Sequence, residues 1–230
     1  MKQNLVIIGA NTTAEHVYSF VKEYNLFNVI GFAVDAAYKN QDIFLDKPLF
    51  EIENLENIID KKNDLIFVAI LWNRLNVDRR NMYLRLQSQG FKFANLVSPT
   101  AKIRGKILGN NCWFHDYVIV QHDAIIGANV IVMAYSIIGA HVELKSHCFV
   151  AAKSVVGGNC KVGEQCFLGI ASIVLDDRKI GDKCIVGAAT VVKRDMPSFS
   201  SIKTTLDNFN VKIYLESEIE NKLLYTANQH

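Results

Sequence analysis

No run of five lysines or arginines occurs anywhere in the 230 residues, and 25 basic residues against 23 acidic ones leave a formal charge of only +2. A chain so close to balance gives no electrostatic reason to expect nucleic acid or an anionic membrane surface as a partner. Long apolar runs are missing too, and nothing approaches the roughly 18 residues that span a bilayer. The opening MKQNLVIIGA is too short for a secretory apolar region, so a cytoplasmic protein is expected, with small molecules and copies of itself as partners. Hydrophobic residues make up 50% of the chain, enough for an ordinary core in one or two small domains.

Cysteine is scarce, and its placement says more than its number. Cys112, Cys148, Cys160, Cys166 and Cys184 stand 36, 12, 6 and 18 residues apart, all multiples of six. A cysteine that recurs at one place in a repeat is serving as a small, buryable side chain. In a reducing cytosol it stays a thiol rather than entering a disulfide or a metal site.

Cut into sixes from Leu108, the chain reads LGNNCW, FHDYVI, VQHDAI, IGANVI and onward to VGAATV, fourteen blocks in all. The first place is always Leu, Ile, Val or Phe. The fifth is Cys, Val, Ala, Ser or Thr in every block but one, where Arg178 stands. Neither a helix of period 3.6 nor a strand of period 2 repeats strictly every six residues, whereas a hexapeptide β-helix does. Each block is expected to be one short strand and a corner, three blocks closing a triangular coil. The result is four to five coils of a prism roughly 20 Å tall at ~4.8 Å per coil. Such prisms wind left-handed, against the usual right-handed crossover. The first residue should point inward, the small fifth should fit where the wall turns, and Gly in second place should relieve the corner backbone. Third and fourth places should face outward. Residues eighteen apart then stack, with Asp123 beneath His141 and Tyr117 beneath Tyr135, and His122 one step from the first pair.

Ahead of the repeat, the apolar run at 4–8 is followed by Gly9 and a helical pattern from Thr12 or Thr13 to about Tyr24. Further strands are expected at NVIGFAVD ending in Asp35, at LIFVAIL (65–71) and at FKFANLV, with a helix at 75–89. This alternation reads as a small βαβ sheet. The turn Gly9-Ala-Asn-Thr-Thr-Ala-Glu lacks the second and third glycines of a dinucleotide fingerprint, which argues against NAD. Two readings stay open for Gly9 and Asn11: a phosphate or base resting against the helix N-terminus, or simply a tight strand-to-helix turn. Asp35 ends the second strand where a ribose-binding acid would sit, and a solvated carboxylate is the plainer alternative. The division is therefore a Rossmann-like nucleotide-sugar module at 1–98, a β-helix at 99–196, and a tail at 197–230 with an amphipathic helix from Asp207 to Leu224. Pro99 marks the joint into the prism and Met196-Pro197 the exit.

A βαβ module ending in GFKFANLVSPTA, then this repeat, then IGDKCIVGAATVVKRDMP, resembles the hexapeptide-repeat sugar acyltransferases, among them sialic-acid O-acetyltransferases and bacillosamine or perosamine N-acetyltransferases. Its character is nearest the N-acyltransferases of dTDP-linked amino-dideoxy sugars. The resemblance covers nearly residues 1–197. It implies a trimer, a nucleotide held by the module, an acyl-CoA lying along the prism between two subunits, and no metal. It further implies that backbone groups around Ala152, Gly169, Ile170 and Gly187 line the pantetheine. The cluster Arg178, Lys179, Lys183, Lys193 and Arg194 is placed to meet the CoA phosphates. Trimerisation rests on this resemblance, not on a hydrophobic stripe. One departure stands out: many relatives carry a catalytic histidine in third place of the block that here reads IGAHVE, where this chain has Ala140, with His141 beside it.

A displaced or missing base harms N-acylation less than O-acylation, because a neutral amine attacks a thioester unaided. An amine acceptor is thus expected, carried on a nucleotide-linked sugar and acylated with an acetyl or short hydroxyacyl group. His141 is the first candidate base, oriented by Asp123; an exposed histidine on a repeat wall is the bland alternative. Asp116, beside His115, is the second, binding the sugar ammonium. Gln121 and His122 are candidates to hydrogen-bond the sugar, and Tyr117 and Tyr135 to stack on a base or on each other. Competing functions are O-acetylation with His141 as a true base, a metal-dependent hydratase built from His115, His122, His141 and His147, and a non-catalytic assembly scaffold.

Overall fold

The computed structural model of the chain describes residues 2–204; the expected C-terminal helix lies outside them. Strand β1 (Asn4–Ile8) is almost wholly buried, and the chain turns at Gly9, whose φ of +131° suits glycine alone. Helix α1 (Thr12–Glu23) starts at Asn11, whose Oδ1 accepts from the backbone N–H groups of Thr13 and Ala14 at 3.0 and 3.2 Å. Its inner face is Ala14, Val17, Phe20 and Val21, the spacing of one helical stripe. Strand β2 (Asn28–Val34), the short hairpin of β3 (Ile43–Phe44) and β4 (Lys47–Glu51), β5 (Leu65–Val68) and helix α2 (Val77–Ser88) complete the module. The sheet order is β3-β4-β2-β1-β5, parallel throughout except for β3.

The expected strand FKFANLV divides between the two halves of the molecule. Phe93 bridges to Ile66 of β5, while Leu96–Val97 is already the first rung of the prism. The prism therefore begins at Leu96 and, among the described residues, runs to Ser201–Ile202, so both expected limits, 99 and 196, fall inside it. Two-residue strands carry too little pattern to reveal the end rungs, where the period is imperfect.

Three parallel sheets form the walls. The first face runs through six strands from Lys102–Ile103 to Val191–Val192, the second through five from Lys106–Ile107 to Lys179–Ile180, and the third through seven from Leu96–Val97 to Ser201–Ile202. Paired residues stand eighteen apart, as in Ile119, Ile137, Val155, Ile173 and Val191. First-place aliphatics from Phe114 to Val186 fill the interior together with the small fifth-place residues. Leu108 breaks the expectation: it is 71% exposed, and Ile107 faces inward in its stead, paired with Ile126. The fifth place also has a polar task. Cys148 Sγ donates to the carbonyl of Gly163 at 3.1 Å, and Ser154 Oγ to that of Gly169 at 2.8 Å. A thiol or hydroxyl here satisfies a buried corner carbonyl.

The corner geometry corrects the expected role of glycine. The left-handed residue of each corner is the fourth, with φ between 51° and 65° from Asn111 to Ala189, and it is never Gly in any block. From Asn129 to Ala189 each donates its N–H one coil down, as Tyr135 does to Asp116 O at 3.0 Å and His141 to His122 O at 3.2 Å, which offsets the strain. Second-place glycines are there for clearance. A Cβ on Gly169 would lie 2.6 Å from Ala188 N, and one on Gly127 2.6 Å from Ser146 N.

The module covers the third face and the corner before it. Trp113, Ile131 and Phe149 of that face share a buried cluster with Leu5, Val17 and Phe67. At the corner, the fourth-place residues Asn111, Asn129 and His147 are buried, contrary to the outward exposure expected of that place. Asn111 Nδ2 donates to Asn129 Oδ1 at 2.8 Å, Asn129 Nδ2 meets His147 Nδ1 at 2.9 Å, and Val68 N donates to Asn111 Oδ1 at 2.8 Å. Arg79 of α2, fully buried, donates to the carbonyls of Leu71, His147 and Cys148 at 2.7–3.2 Å. Burial pushes its guanidinium down to about 10, so it is a cation at neutral pH.

Candidate active site

Sequence candidates gather at three places. At the corner between the first and second faces, His122, Asp123 and His141 present ligand atoms within 4.8 Å of one another. Asp123 and His141 are adjacent left-handed corner residues of one column, at φ 59° and 57°. His141 Nδ1 lies 3.9 Å from Asp123 Oδ2, both side chains more than half exposed, and the rings of His122 and His141 meet edge to face at 5.6 Å. That distance is an ion-pair contact but too long for a hydrogen bond, so Asp123 does not lock the His141 ring. The same three groups are the chain's candidate cation ligands among the described residues. Gln121 is committed elsewhere: its Oε1 accepts from Ala140 N at 3.0 Å and braces two coils. His115 and His147 stand at other corners, so the four histidines proposed for a hydratase do not converge within one chain.

The second place is the seam between α1 and the first full coil. Asp116 Oδ1 accepts from Tyr24 OH at 2.7 Å, Ser98 Oγ at 2.6 Å and Thr100 Oγ1 at 3.4 Å. Its Oδ2 faces His115 Nδ1 at 3.4 Å, and that nitrogen is buried with no hydrogen bond. Burial pushes the Asp116 carboxyl up, but the bonds from Ser98 and Tyr24 and the adjacent His115 outweigh it and hold the group below the usual carboxylate range. The same bond drives the Tyr24 phenol up to about 12. His115 Nε2 meets His16 Nε2 at 3.2 Å. Both imidazoles are lowered, chiefly by burial and partly offset by Asp116. Beyond the seam, Tyr117 and Tyr135 stack on each other at 4.9 Å and 19°, with both rings exposed.

The third place is a cavity of about 380 Å³ at the carboxyl ends of β1 and β2, lined by Gly9, Asn11 and Asp35 together with Tyr38, Asn40 and Met82. Open parallel sheets bind ligands at this edge. The three sequence candidates do meet here, yet two are already engaged. Asn11 caps α1 with its own side-chain oxygen, and Asp35 is ion-paired to Arg85, which also reaches Glu53 at 3.3 Å.

The cofactor candidates lie on the upper coils. Ala152, Gly169, Ile170 and Gly187 rise along the corner between the third and first faces, where Ala152 O accepts from Ala171 N and Ile170 O from Ala189 N. Ile170 is exposed. Arg178 points outward as expected, Nε donating to Asp176 O at 3.0 Å and the guanidinium 3.9 Å from Asp195. Lys193 follows the last strand of the first face and is exposed.

Residues 105–139 and 123–158 match the family model described as bacterial transferase hexapeptide (six repeats). The period of six read from the sequence is the repeat that this model describes. Among solved structures, it is similar over 86% of its length to perosamine N-acetyltransferase from Caulobacter crescentus, a histidine-to-asparagine variant holding CoA and GDP-perosamine. Identity is 26%, with a TM-score of 0.75 and coverage of 92% of that chain. The acetyltransferase domain of PglB from Neisseria gonorrhoeae, in complex with acetyl coenzyme A, aligns over 87% of this chain and 96% of its own at 20% identity and a TM-score of 0.75. WeeI from Acinetobacter baumannii does so over 87% and 96% at 14% identity and 0.67. The last two share the fold. A comparison with curated protein sequences finds no match. Both halves of the chain, module and prism, thus recur together in these solved structures.

Several residues of these places carried no signal in the sequence. His16 and Tyr24 sit off the buried stripe of α1, and only the docking of α1 brings them to His115 and Asp116. Arg85 is a helix residue 50 positions from Asp35. One signal was legible: the sixth place. Under the module it holds Trp113, Ile131 and Phe149, on the second face Glu143, Lys161 and Lys179, and on the first face the aliphatic ladder Ile119 to Val191.

Proposed function

We propose that this protein is an acyl-CoA-dependent N-acyltransferase that moves an acetyl or short hydroxyacyl group to the amine of a nucleotide-linked amino-deoxy sugar. The observation that carries the reading is the joint match of module and prism, over 86% of the chain, to an N-acetyltransferase bound to CoA and a nucleotide sugar. The nucleoside end fits the cavity at Gly9, Asn11 and Asp35. Acyl-CoA runs along the corner of Ala152, Gly169, Ile170 and Gly187, its phosphates toward Arg178 and Lys193. The sugar amine attacks the thioester carbonyl carbon. A C–N bond forms, the C–S bond breaks, backbone N–H groups hold the oxyanion, and CoA leaves as the thiolate. The ammonium proton passes to the His141 and His122 pair, beside which Asp123 stands, and from there to the thiolate. Asp116, held ionised by its hydroxyl donors, suits an ammonium partner better than a proton acceptor.

The working form is a homotrimer packed through the first face, whose outer residues Ile119, Ile137, Val155, Ile173 and Val191 make an aliphatic ladder that no part of the described chain covers. The protein works in the cytoplasm; no helix among the described residues is long and apolar enough to cross a membrane. O-acylation is the second reading, favoured by the same two histidines and carboxylate, which together make a usable base.

The test is thiol release from acetyl-CoA and 3-hydroxybutanoyl-CoA against UDP-, GDP- and dTDP-linked amino sugars, with the product examined for an amide or an ester. Turnover giving an amide is expected. An ester product would transfer the assignment to O-acylation, and no turnover with any pair would defeat the reading.

A further inference from the structure

Helix α1 touches the prism at one spot twice. Near its start, His16 reaches His115, and at its C-terminal cap, Tyr24 reaches Asp116, the next residue along. The helix begins at Asn11 on the rim of the nucleotide cavity, so a rod of roughly 20 Å joins that cavity to the Asp116 carboxylate. Among the described residues, no Lys or Arg forms an ion pair with Asp116, and His115 is its one basic neighbour within 4 Å. Its Oδ1 is held by hydroxyls from α1 and from the strand entering the prism, while its Oδ2 faces only His115.

The His115 ring is walled in by Trp113, Phe20 and His16 at centroid distances of 4.8, 5.1 and 5.0 Å. An Nε2-to-Nε2 contact of 3.2 Å holds one proton. If His115 owned it, His115 Nδ1 would turn a lone pair on the Asp116 carboxylate at 3.4 Å. If His16 owns it, the His115 proton sits on Nδ1 and faces Oδ2. Asp116 and His16 thus select one tautomer between them, and His16 Nε2 is the donor.

Resting on the reading of Asp116 as the ammonium-binding carboxylate, we infer that Tyr24 and His16 are positioning residues of the nucleotide module that set the place and charge of Asp116 on the prism. The acceptor amine is therefore presented by both halves of the molecule, and the acyl donor by the prism alone. The titratable groups facing Asp116 are Tyr24 and His16 from α1 and His115 from its own coil.

Tyr24→Phe removes one hydroxyl donor and leaves the ring packing against Phe20 in place. One lost hydrogen bond to a charged group is expected to raise KM for the amino sugar about tenfold and leave KM for acyl-CoA unchanged. The Asp116 carboxyl, no longer held down by that donor, should titrate at higher pH than in the wild type. His16→Leu, which abolishes the donor to His115, should move the same two quantities in the same direction, and His16→Gln should restore them in part. A carboxyl-carbon NMR titration of Asp116 without substrate should show the same upward shift in Tyr24→Phe. Equal loss for both substrates with an unmoved Asp116 titration would overturn the inference while leaving the proposed function standing. If the wild-type protein turned over no sugar, the proposed function would fall, and the NMR titration would still decide: a shift supports α1 as the setter of Asp116, and no shift refutes it.

Discussion

His147 offers the sharpest test of how the module is held on the prism. The ring is 6% exposed, ends the buried ladder of Asn111 and Asn129, and lies in the field of Arg79 and Arg80. Burial first, and those two cations second, lower it from 6.5 to about 4. Above pH 6.5 the ring is neutral in both folded and unfolded chains. Between 6.5 and 4 only the unfolded chain takes up the proton, so the stability is complete above 6.5 and is lost as the pH falls toward 4. At ~1.4 kcal/mol per pH unit the full loss is about 3.4 kcal/mol. At pH 4.5 it is ~2.6 kcal/mol, and residual solvent at the ring edge trims this to about 2 kcal/mol. His16, His115 and Asp116 are lowered too and act in the same direction, so acid sensitivity alone does not isolate His147. His147→Asn does, since an amide continues the ladder and does not titrate. Urea unfolding followed by the fluorescence of Trp113, buried in the seam, at pH 7 and at pH 4.5 gives a double difference. The expected result is that His147→Asn loses about 2 kcal/mol less on acidification than the wild type. Identical pH dependence in the two proteins would refute the argument that burial keeps this ring neutral.

Three further outcomes are expected. His141→Ala should leave measurable N-acyl transfer, slowed by roughly 10²-fold or less, the modest share of a single general base; a trimeric His141→Ala protein with no activity would make His141 indispensable and favour a hydroxyl acceptor. Gly169→Ala, whose new Cβ would stand 2.6 Å from Ala188 N, should cost about 2–3 kcal/mol of stability by overpacking, read as a lowered urea midpoint. Ile137→Lys at the middle of the uncovered first-face ladder should give monomers in analytical ultracentrifugation with the circular dichroism spectrum retained, and an unchanged trimer would rule out that face as the interface.

The period of six was decisive by itself because a β-helix repeats one local environment. Each first place from Phe114 to Val186 meets the same interior, so the sequence writes the environment out over and over. Stacking of Asp123 under His141, and of Tyr117 on Tyr135, followed from eighteen residues per coil with no other information. The same local logic identified β1, Gly9 and α1. It failed where the period does, at Leu108 and at the end rungs Leu96–Val97 and Ser201–Ile202. It also misjudged glycine, because the clearance between coils at Gly169 is a distance to a residue in the next coil. Tertiary structure alone decided which corners stay open. Asn129 and His147 hold the same fourth place as Asp123 and His141, yet the module buries the first pair and leaves the second in solvent. The chemistry of Asp116 was decided the same way: its donors Tyr24 and Ser98 stand 92 and 18 residues away, and their convergence depends on where α1 docks, which no local pattern encodes.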